Sequence, residues 1–542
     1  MKRTIVILLL IANCTWAAKT PFSRGVNLTG WFQTDSPQQI QFTKFTKQDF
    51  INIKSLGCDV IRLPINLHFM TNGEPNYIID PLFYFFLDQA VDWAEELELH
   101  LILDNHTFDP ATDTNPNIGN VLIRVWTQMA AHYKNRSNLI YYEILNEPHG
   151  ISDQLWNSIQ QQVIDAIRTA DQKHTIVVGP AGWNSYYNLG NMPQYEDDNL
   201  IYTFHFYDPF LFTHQGATWT SPSMESVAGI PFPYDAARMP ACPSELRDTW
   251  VGGSYTNYRS EGTALHVKEL INIAADFQVQ RNVPLFCGEF GVYIPNSDNN
   301  DRVYWYEVVR KYLEQKNISW TIWDYKGGFG LFEKDSGELF DYDLNIPLVE
   351  ALGLTAPPQK ELVIEPDTTG FDIYTDYIGP GIVESSWNSA GILDYYCEDN
   401  PASGFFCIHW TGVNQYDCIS LRFSPVKDLT ILVDEGYVLD FWVRCDNPTA
   451  KIDLRFVDTK TDEPGDHPWR MRYTISQSND QWQHLQLPLS SFAEHGSWDD
   501  GWYNPQGDFD WAATDKFEIV SEYSDLQGTS FHFDNIRIID PD

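Results

Sequence analysis

The sequence predicts an α/β chain: a closed (β/α)8 barrel makes up the larger part and an all-β sandwich the remainder. Three observations predict it. Between residues 24 and 353 eight short apolar runs alternate with longer stretches of helical spacing, the pattern of a parallel sheet covered by helices. The short runs are apolar at nearly every position, as strands buried on both faces are. From residue 367 onward helical spacing stops and short alternating runs take over, as in antiparallel sandwiches.

The elements follow in order. GVNLTGWF (25–32) reads as the first strand and TKQDFINIKSLG (46–57) as a helix ending on Gly57. DVIRLPIN (59–66) is the second strand, followed by the helix PLFYFFLDQAVDWAEEL (81–97). HLILDNH (100–106) with NVLIRVWTQMAAHYKN (120–135) makes the third unit, and LIYYEILNEP (139–148) with SDQLWNSIQQQVIDAIRTAD (152–171) the fourth. HTIVVGPAGW (174–183) and NLIYTFHFYDP (199–209) are strands five and six, and ALHVKELINIAADFQV (264–279) is a helix. VPLFCGEFGVY (283–293) with DRVYWYEVVRKYLEQKN (301–317), then ISWTIWDYKGGFG (318–330) with a short helix near 347–353, complete the eight. This is the make-up of a TIM barrel. An open doubly wound sheet is the alternative, but no glycine-rich phosphate loop follows the first strand to support it.

Residues 209–263 form a long irregular stretch after the sixth strand. Loops of such length are usually functional or flexible, and this one falls on the face where barrels of this kind carry their sites. APPQKELVIEP (356–366) reads as a linker, which places the barrel at 18–355 and the sandwich at 367–542. Residues 1–17 read as a secretory signal: Lys2 and Arg3, then an apolar run from Thr4 to Ala12, then Thr15 and Ala17 as the small residues before a cut after Ala17. Asn13 before Cys14 does not suit lipoprotein processing. The expectation is a secreted, extracellular monomer with no membrane anchor after cleavage.

A formal charge of −39 argues against nucleic acid and anionic membrane surfaces as partners. Aromatic residues make up 15% of the chain, with 19 Trp, which leaves flat rings beyond core needs for a neutral ligand such as a sugar. Apart from Cys14 there are seven cysteines. Cys397, Cys407, Cys418 and Cys445 could form two disulfides in any of three connectivities. No Cys/His spacing suggests zinc.

The C-terminal ends of the barrel strands carry Arg62, His106, Asn146, Glu147, His205, Tyr207, Glu289 and Trp323. Side chains alternate along a strand. An inward Glu289 therefore places Cys287 and Leu285 inward, an inward Glu147 does the same for Leu145 and Glu143, and an inward His106 for Asp104. Buried carboxylates need a partner, and Arg62 is the one available to Asp104 and Glu143. Glu147 and Glu289 on one barrel mouth suit glycoside hydrolysis, provided their surroundings keep one protonated and the other ionised. Arg62 and Tyr207 beside Glu289 favour its anion, and Glu147 is then the proton carrier. Trp323 is a candidate ring floor; Trp31, Trp183 and Trp219 are further platform candidates. Cys287 reads as a packed thiol, having no base partner in CGEFG.

ILNEP and CGEFG, with VIRLPIN, LDNH, HFYDP and TIWDYKGG, resemble glycoside hydrolase family 5 over residues 20–355. The resemblance implies a retaining double displacement with Glu147 as acid/base and Glu289 as nucleophile. It implies that Asn146 bonds the sugar 2-hydroxyl, that His106, His205 and Tyr207 orient the carboxylates and the sugar, and that Trp323 floors the subsite. The carboxylates should lie about 5–5.5 Å apart. No cofactor is implied for catalysis. The sandwich resembles jelly-roll carbohydrate-binding modules, FHFDNIRI matching their last strand, and Asp534 becomes a candidate ligand for a structural calcium. Trp410, Tyr437, Trp469, Arg472 and Tyr473 are candidates for a groove there. The expected activity is that of an endo-β-1,4-glucanase (cellulase) acting on β-glucan. β-Mannan, mixed-linkage glucan and xyloglucan are the alternative substrates, and a non-catalytic polysaccharide-binding protein is the alternative of another class.

Overall fold

The computed structural model describes residues 18–476 and 480–541; residues 1–17, which read as a secretory signal, lie outside them. Eight parallel strands close into a barrel in sequence order: β1 (Arg24–Asn27), β2 (Val60–Ile65), β3 (His100–Asn105), β4 (Ile140–Glu143), β5 (Thr175–Val178), β6 (Leu200–Phe206), β7 (Leu285–Phe290) and β8 (Ser319–Ile322). Between them run helices such as Pro81–Glu96, Gly119–Tyr133 and Asp153–Ala170, whose apolar stripes pack on the barrel.

The interior is layered by the two-residue period of the strands. Val60, Ile102, Tyr141, Val177, Ile201 and Phe286 form an apolar layer plugged from below by Phe22. Two residues further along, the same strands carry Arg62, Asp104, Glu143, Thr203 and Gly288. Ile61, Leu63, Leu101 and Leu103 face outward into the helix-packed core.

Strand one and strands four to eight are shorter than their apolar runs. β4 stops at Glu143 and β8 at Ile322, and the chain beyond them bends across the mouth. Those bends are themselves buried, so they keep the composition of a strand. The stretch after β6 is also more regular than its sequence suggests, because it holds a helix, Trp250–Glu261, capped by the Thr249 side chain. Gly252 and Gly253 hide its periodicity. At Gly252 a Cβ would meet the Arg247 carbonyl oxygen at 2.2 Å, so close packing there requires glycine.

The sandwich has two antiparallel sheets. One contains β10 (Ile382–Glu384), β13 (Cys418–Lys427), β15 (Lys451–Asp458), β16 (Arg470–Ser476), β18 (Ala493–Trp498), β19 (Trp502–Tyr503) and β20 (Thr514–Val520). Its order is β10-β13-β20-β15-β16-β18-β19. The other contains β11 (Ile392–Cys397), β12 (Cys407–Val413), β14 (Val438–Cys445), β17 (Gln483–Pro488) and β21 (Leu526–Ile539), ordered β11-β12-β21-β14-β17, with β9 (Phe371–Tyr374) on β21. All seven cysteines of the described residues are free. Cys418 and Cys445 lie in different sheets, and Cys397 faces Cys407 across β11 and β12.

The sandwich joins the barrel without a gap in the apolar core. The Phe86 ring lies 4.8 Å from Tyr396, and Phe42 lies 5.4 Å from Tyr377. The Tyr396 hydroxyl donates to the Ile40 carbonyl and accepts from the Phe42 amide. Gln41 bridges both ways to Ile382 and Glu384. Phe86→Ala removes a fully buried ring from this joint and should cost about 3–5 kcal/mol in denaturant unfolding. The loss should appear as a shift of a transition shared by barrel and sandwich.

Candidate active site

Arg62 is the hub of the mouth. β2 is buried at every position, and its inward parity puts the Arg62 side chain, fully buried, at the barrel axis. All five N–H donors are used. Nε and Nη2 grip Glu143 bidentately at 2.8 and 2.9 Å. Nη2 also donates to Asn146 Oδ1 at 2.8 Å, and Nη1 to Asn27 Oδ1 at 3.0 Å and to Glu289 Oε1 at 2.7 Å. Asp104 Oδ2 lies 3.0 Å from Nη2. One cation thus faces three buried carboxylates. Burial raises Asp104, to about 7, and Glu143 against the pull of Arg62.

Glu147 and Glu289 sit in unlike surroundings. Both oxygens of Glu289 accept hydrogen bonds, one from Arg62 and the other from the Tyr207 hydroxyl at 2.9 Å. Glu147 lies beyond the end of β4 at φ 45°, a left-handed conformation that non-glycine residues seldom take without a functional reason. Its Oε1 pairs with His205 Nδ1 at 2.6 Å. Burial pushes the Glu147 carboxyl up to about 8 and the His205 imidazole down to about 4. Between these two the shared proton therefore rests on Glu147. One oxygen of each glutamate and a His205 nitrogen lie within 4.8 Å of one another. By donor type this trio could hold a cation, but Arg62 and Tyr207 already occupy both Glu289 oxygens and His205 occupies Glu147 Oε1.

His106 completes the set. Its Nδ1 pairs with Asp104 at 2.7 Å, and Asn146 Nδ2 lies 3.4 Å from its Nε2. Burial lowers its pKa to about 3, so the ring stays neutral. Trp323 stacks on it with centroids 5.3 Å apart and planes 14° from parallel.

The family model described as Cellulase (glycosyl hydrolase family 5) matches residues 17–328. The chain belongs to this family. Endoglucanase 3 of Fibrobacter succinogenes is 30% identical over 342 residues, 59% of this chain and 51% of that protein. The chain therefore spans about half the length of this relative. Endoglucanase C of Acetivibrio thermocellus is 29% identical over 336 residues, 58% of this chain and 94% of that protein. Among solved structures, Thermotoga maritima Cel5A in complex with mannotriose is 26% identical, with a TM-score of 0.51 over 61% of this chain and 97% of that one.

In this family 5 glycoside hydrolase the strand-parity expectation fails at two places. Leu285 and Cys287 face the outer core, not the interior, because a bulge lies between the pairs Phe204–Cys287 and His205–Glu289. It lets Phe286, Gly288 and then Glu289 all point inward. Burial pushes the Cys287 thiol well up, in keeping with a packed thiol. Leu145 likewise joins the outer core, because the chain leaves β4 before reaching it.

Around the mouth, Trp183 and Trp219 are 42% and 46% exposed. Trp183, after β5, stacks on His149 with centroids 3.6 Å apart and meets Phe108. Trp219, after β6, stands edge-on to Tyr293 at 4.8 Å, beside Phe329. Aromatic surface thus stands on the β3–β5 side and on the β6–β8 side. Trp31 is no platform; it is 1% exposed and donates to the Phe42 carbonyl. Asn27 went unmarked in the sequence. It donates to the Gly288 and Ile322 carbonyls and accepts from Arg62, tying β1 to β7 and β8.

In the sandwich, Trp410 and Trp469 are core residues, while Tyr437, Arg472 and Tyr473 are half-buried. One exposed aromatic group is Trp498, Trp502 and Tyr503 on the β18–β19 hairpin, with Trp498 facing Trp502; Trp387, Phe405, Tyr416 and Tyr523 are exposed elsewhere on the sandwich. Asp534 is buried and accepts from the Ser403 and Asn535 amides. Among the described residues it belongs to no cluster of three His, Cys, Asp or Glu donors; calcium also takes backbone and amide carbonyl oxygens.

Arg62→Ala leaves Asp104, Glu143 and Glu289 without their buried counter-ion, and should cost about 3–5 kcal/mol of unfolding free energy. The deficit should be largest above neutral pH and narrow as pH falls, because Asp104 and Glu143 are raised and take up protons first. Urea titrations of the variant and the parent across pH measure this.

Proposed function

We propose that the chain is a secreted, retaining endo-β-1,4-glucanase working by double displacement. The observation that carries this is the asymmetry of two neighbouring glutamates: Glu289 accepts from Arg62 and Tyr207, whereas Glu147 holds its proton against a neutral His205. The separation of their nearest oxygens, under 4.8 Å, suits direct attack rather than the ~6.5–9.5 Å gap that inverting enzymes leave for water.

In the first step a Glu289 oxygen attacks the anomeric carbon as Glu147 gives its proton to the departing oxygen. A glycosyl ester and a shortened chain with a free hydroxyl result. In the second step Glu147, now a carboxylate, takes a proton from water, whose oxygen displaces Glu289 and restores the starting state. Asn146, fixed by Arg62 through Oδ1, keeps Nδ2 for the sugar 2-hydroxyl. His106 and His205 stay neutral and hold the acids in place. Trp323 is the ring floor. Aromatic surface on both sides of the mouth supports binding of an extended chain on each side of the cut, hence endo action. The endoglucanase names of the relatives support β-glucan as substrate, and the mannotriose complex of the Thermotoga protein keeps β-mannan as a second reading. The leader at residues 1–17 supports export. The exposed Trp498, Trp502 and Tyr503 support polysaccharide contact by the sandwich. A monomer remains the expectation.

Glu147→Ala and Glu289→Ala should each lower hydrolysis of an aryl β-cellobioside by at least ~10²-fold, with the first-formed product anomer β by NMR in the parent. Near-full activity in either variant would sink the assignment. In the parent, kcat/KM should fall as pH rises past about 8, where Glu147 loses the proton it must donate. A rate flat to pH 10 would contradict that role.

A further inference from the structure

Far from the barrel mouth, the sandwich gathers soft donors that no spacing in the sequence announces. Cys397 ends β11, Cys407 begins β12, His409 follows two residues later, and His532 lies on β21. Cys397 faces Cys407, and His409 faces His532, across neighbouring strands. Strand alternation puts Cys407 and His409 on the face opposite the core residues Ile408 and Trp410. The two imidazoles stack with centroids 4.5 Å apart and planes 15° from parallel. Cys397 Sγ and one nitrogen of each imidazole lie within 4.8 Å of one another.

We propose that Cys397, His409 and His532 bind a divalent ion of zinc type, with Cys407 as the fourth donor. Thiolate with imidazole is the donor set that selects zinc over calcium or magnesium. Zinc bonds of about 2.0–2.3 Å hold tetrahedral donors ~3.3–3.8 Å apart, so the stacked imidazoles must turn out of parallel for both to point at one ion. Outer contacts that orient ligating imidazoles are in place. Ser530 Oγ pairs with His409 Nε2 at 2.9 Å, and Asp399 Oδ2 lies 3.7 Å from His532 Nε2. Arg444, the nearby cation, is neutralised by Asp399 at 2.8 Å. Cys407, the register partner of Cys397, brings its sulfur to 3.5 Å from the Cys397 carbonyl oxygen. The ion would clip three successive strands, β11, β12 and β21, through side chains alone.

The test uses the full chain without a histidine tag, reduced with a thiol-free reductant and dialysed against Co2+. The expected result is one cobalt per chain with a thiolate-to-cobalt charge-transfer band that zinc displaces. Cys397→Ser should roughly halve the band and Cys397→Ser combined with Cys407→Ser should abolish it, and His409→Asn should weaken zinc binding by more than the ~10–100-fold typical of an outer contact. Cys418→Ala, in the other sheet, should keep both, and far-UV circular dichroism checks that each variant is folded. If Cys397→Ser fails to fold, the His409→Asn affinity decides. No band, an undiminished band in folded Cys397→Ser, unchanged affinity in His409→Asn, or a Cys397–Cys407 disulfide in the protein as isolated from an oxidising compartment overturns the proposal.

Discussion

Every feature of the mouth depends on a single guanidinium set among more carboxylates than it can neutralise. Asp104, Glu143 and Glu289 all touch Arg62, and Glu147 stands close by on His205. A buried charge without a partner is costly, so the group cannot be fully ionised. The proton must sit where the cation's grip is weakest. Glu143 has the bidentate contact and Glu289 has Arg62 plus a phenol, while Glu147 has only a neutral imidazole. The same constraint that keeps the barrel folded thus prepares one acid to donate and leaves its neighbour held as an acceptor.

The layering of the barrel makes this arrangement affordable. Below the guanidinium lies a sealed apolar layer from Phe22 to Phe286, which gives the charges a low-dielectric floor and strengthens their hydrogen bonds. Above it the strands stop and the chain turns into loops whose aromatics face the solvent. The site therefore occupies a single step between a dry core and an open mouth, and each strand reaches that step at the residue its two-residue period assigns.

Much of this was legible in the sequence, because period and strand order are local properties. The eight β/α units, the switch to a sandwich and the Arg62–Glu143–Asp104 grouping all follow from alternation along short runs. The sequence hid what depends on a single extra residue or on contacts across strands. The β7 bulge moves Cys287 outward and Glu289 inward with no change in composition. Asn27 looks like any strand-end polar residue until β1 closes against β8. Trp31 and Trp183 are the same residue type, but one is sealed under Phe42 and the other stands on His149. Cys397, Cys407, His409 and His532 meet only because β21 lies beside β12.

The central claim is that the crowded Arg62 network leaves the proton on Glu147. Following its carboxyl carbon by NMR in protein labelled with 13C-glutamate, with Glu147→Gln for assignment, measures this directly. A midpoint near pH 8 is the predicted result. A midpoint near the ordinary glutamate value of about 4.3 would contradict the account.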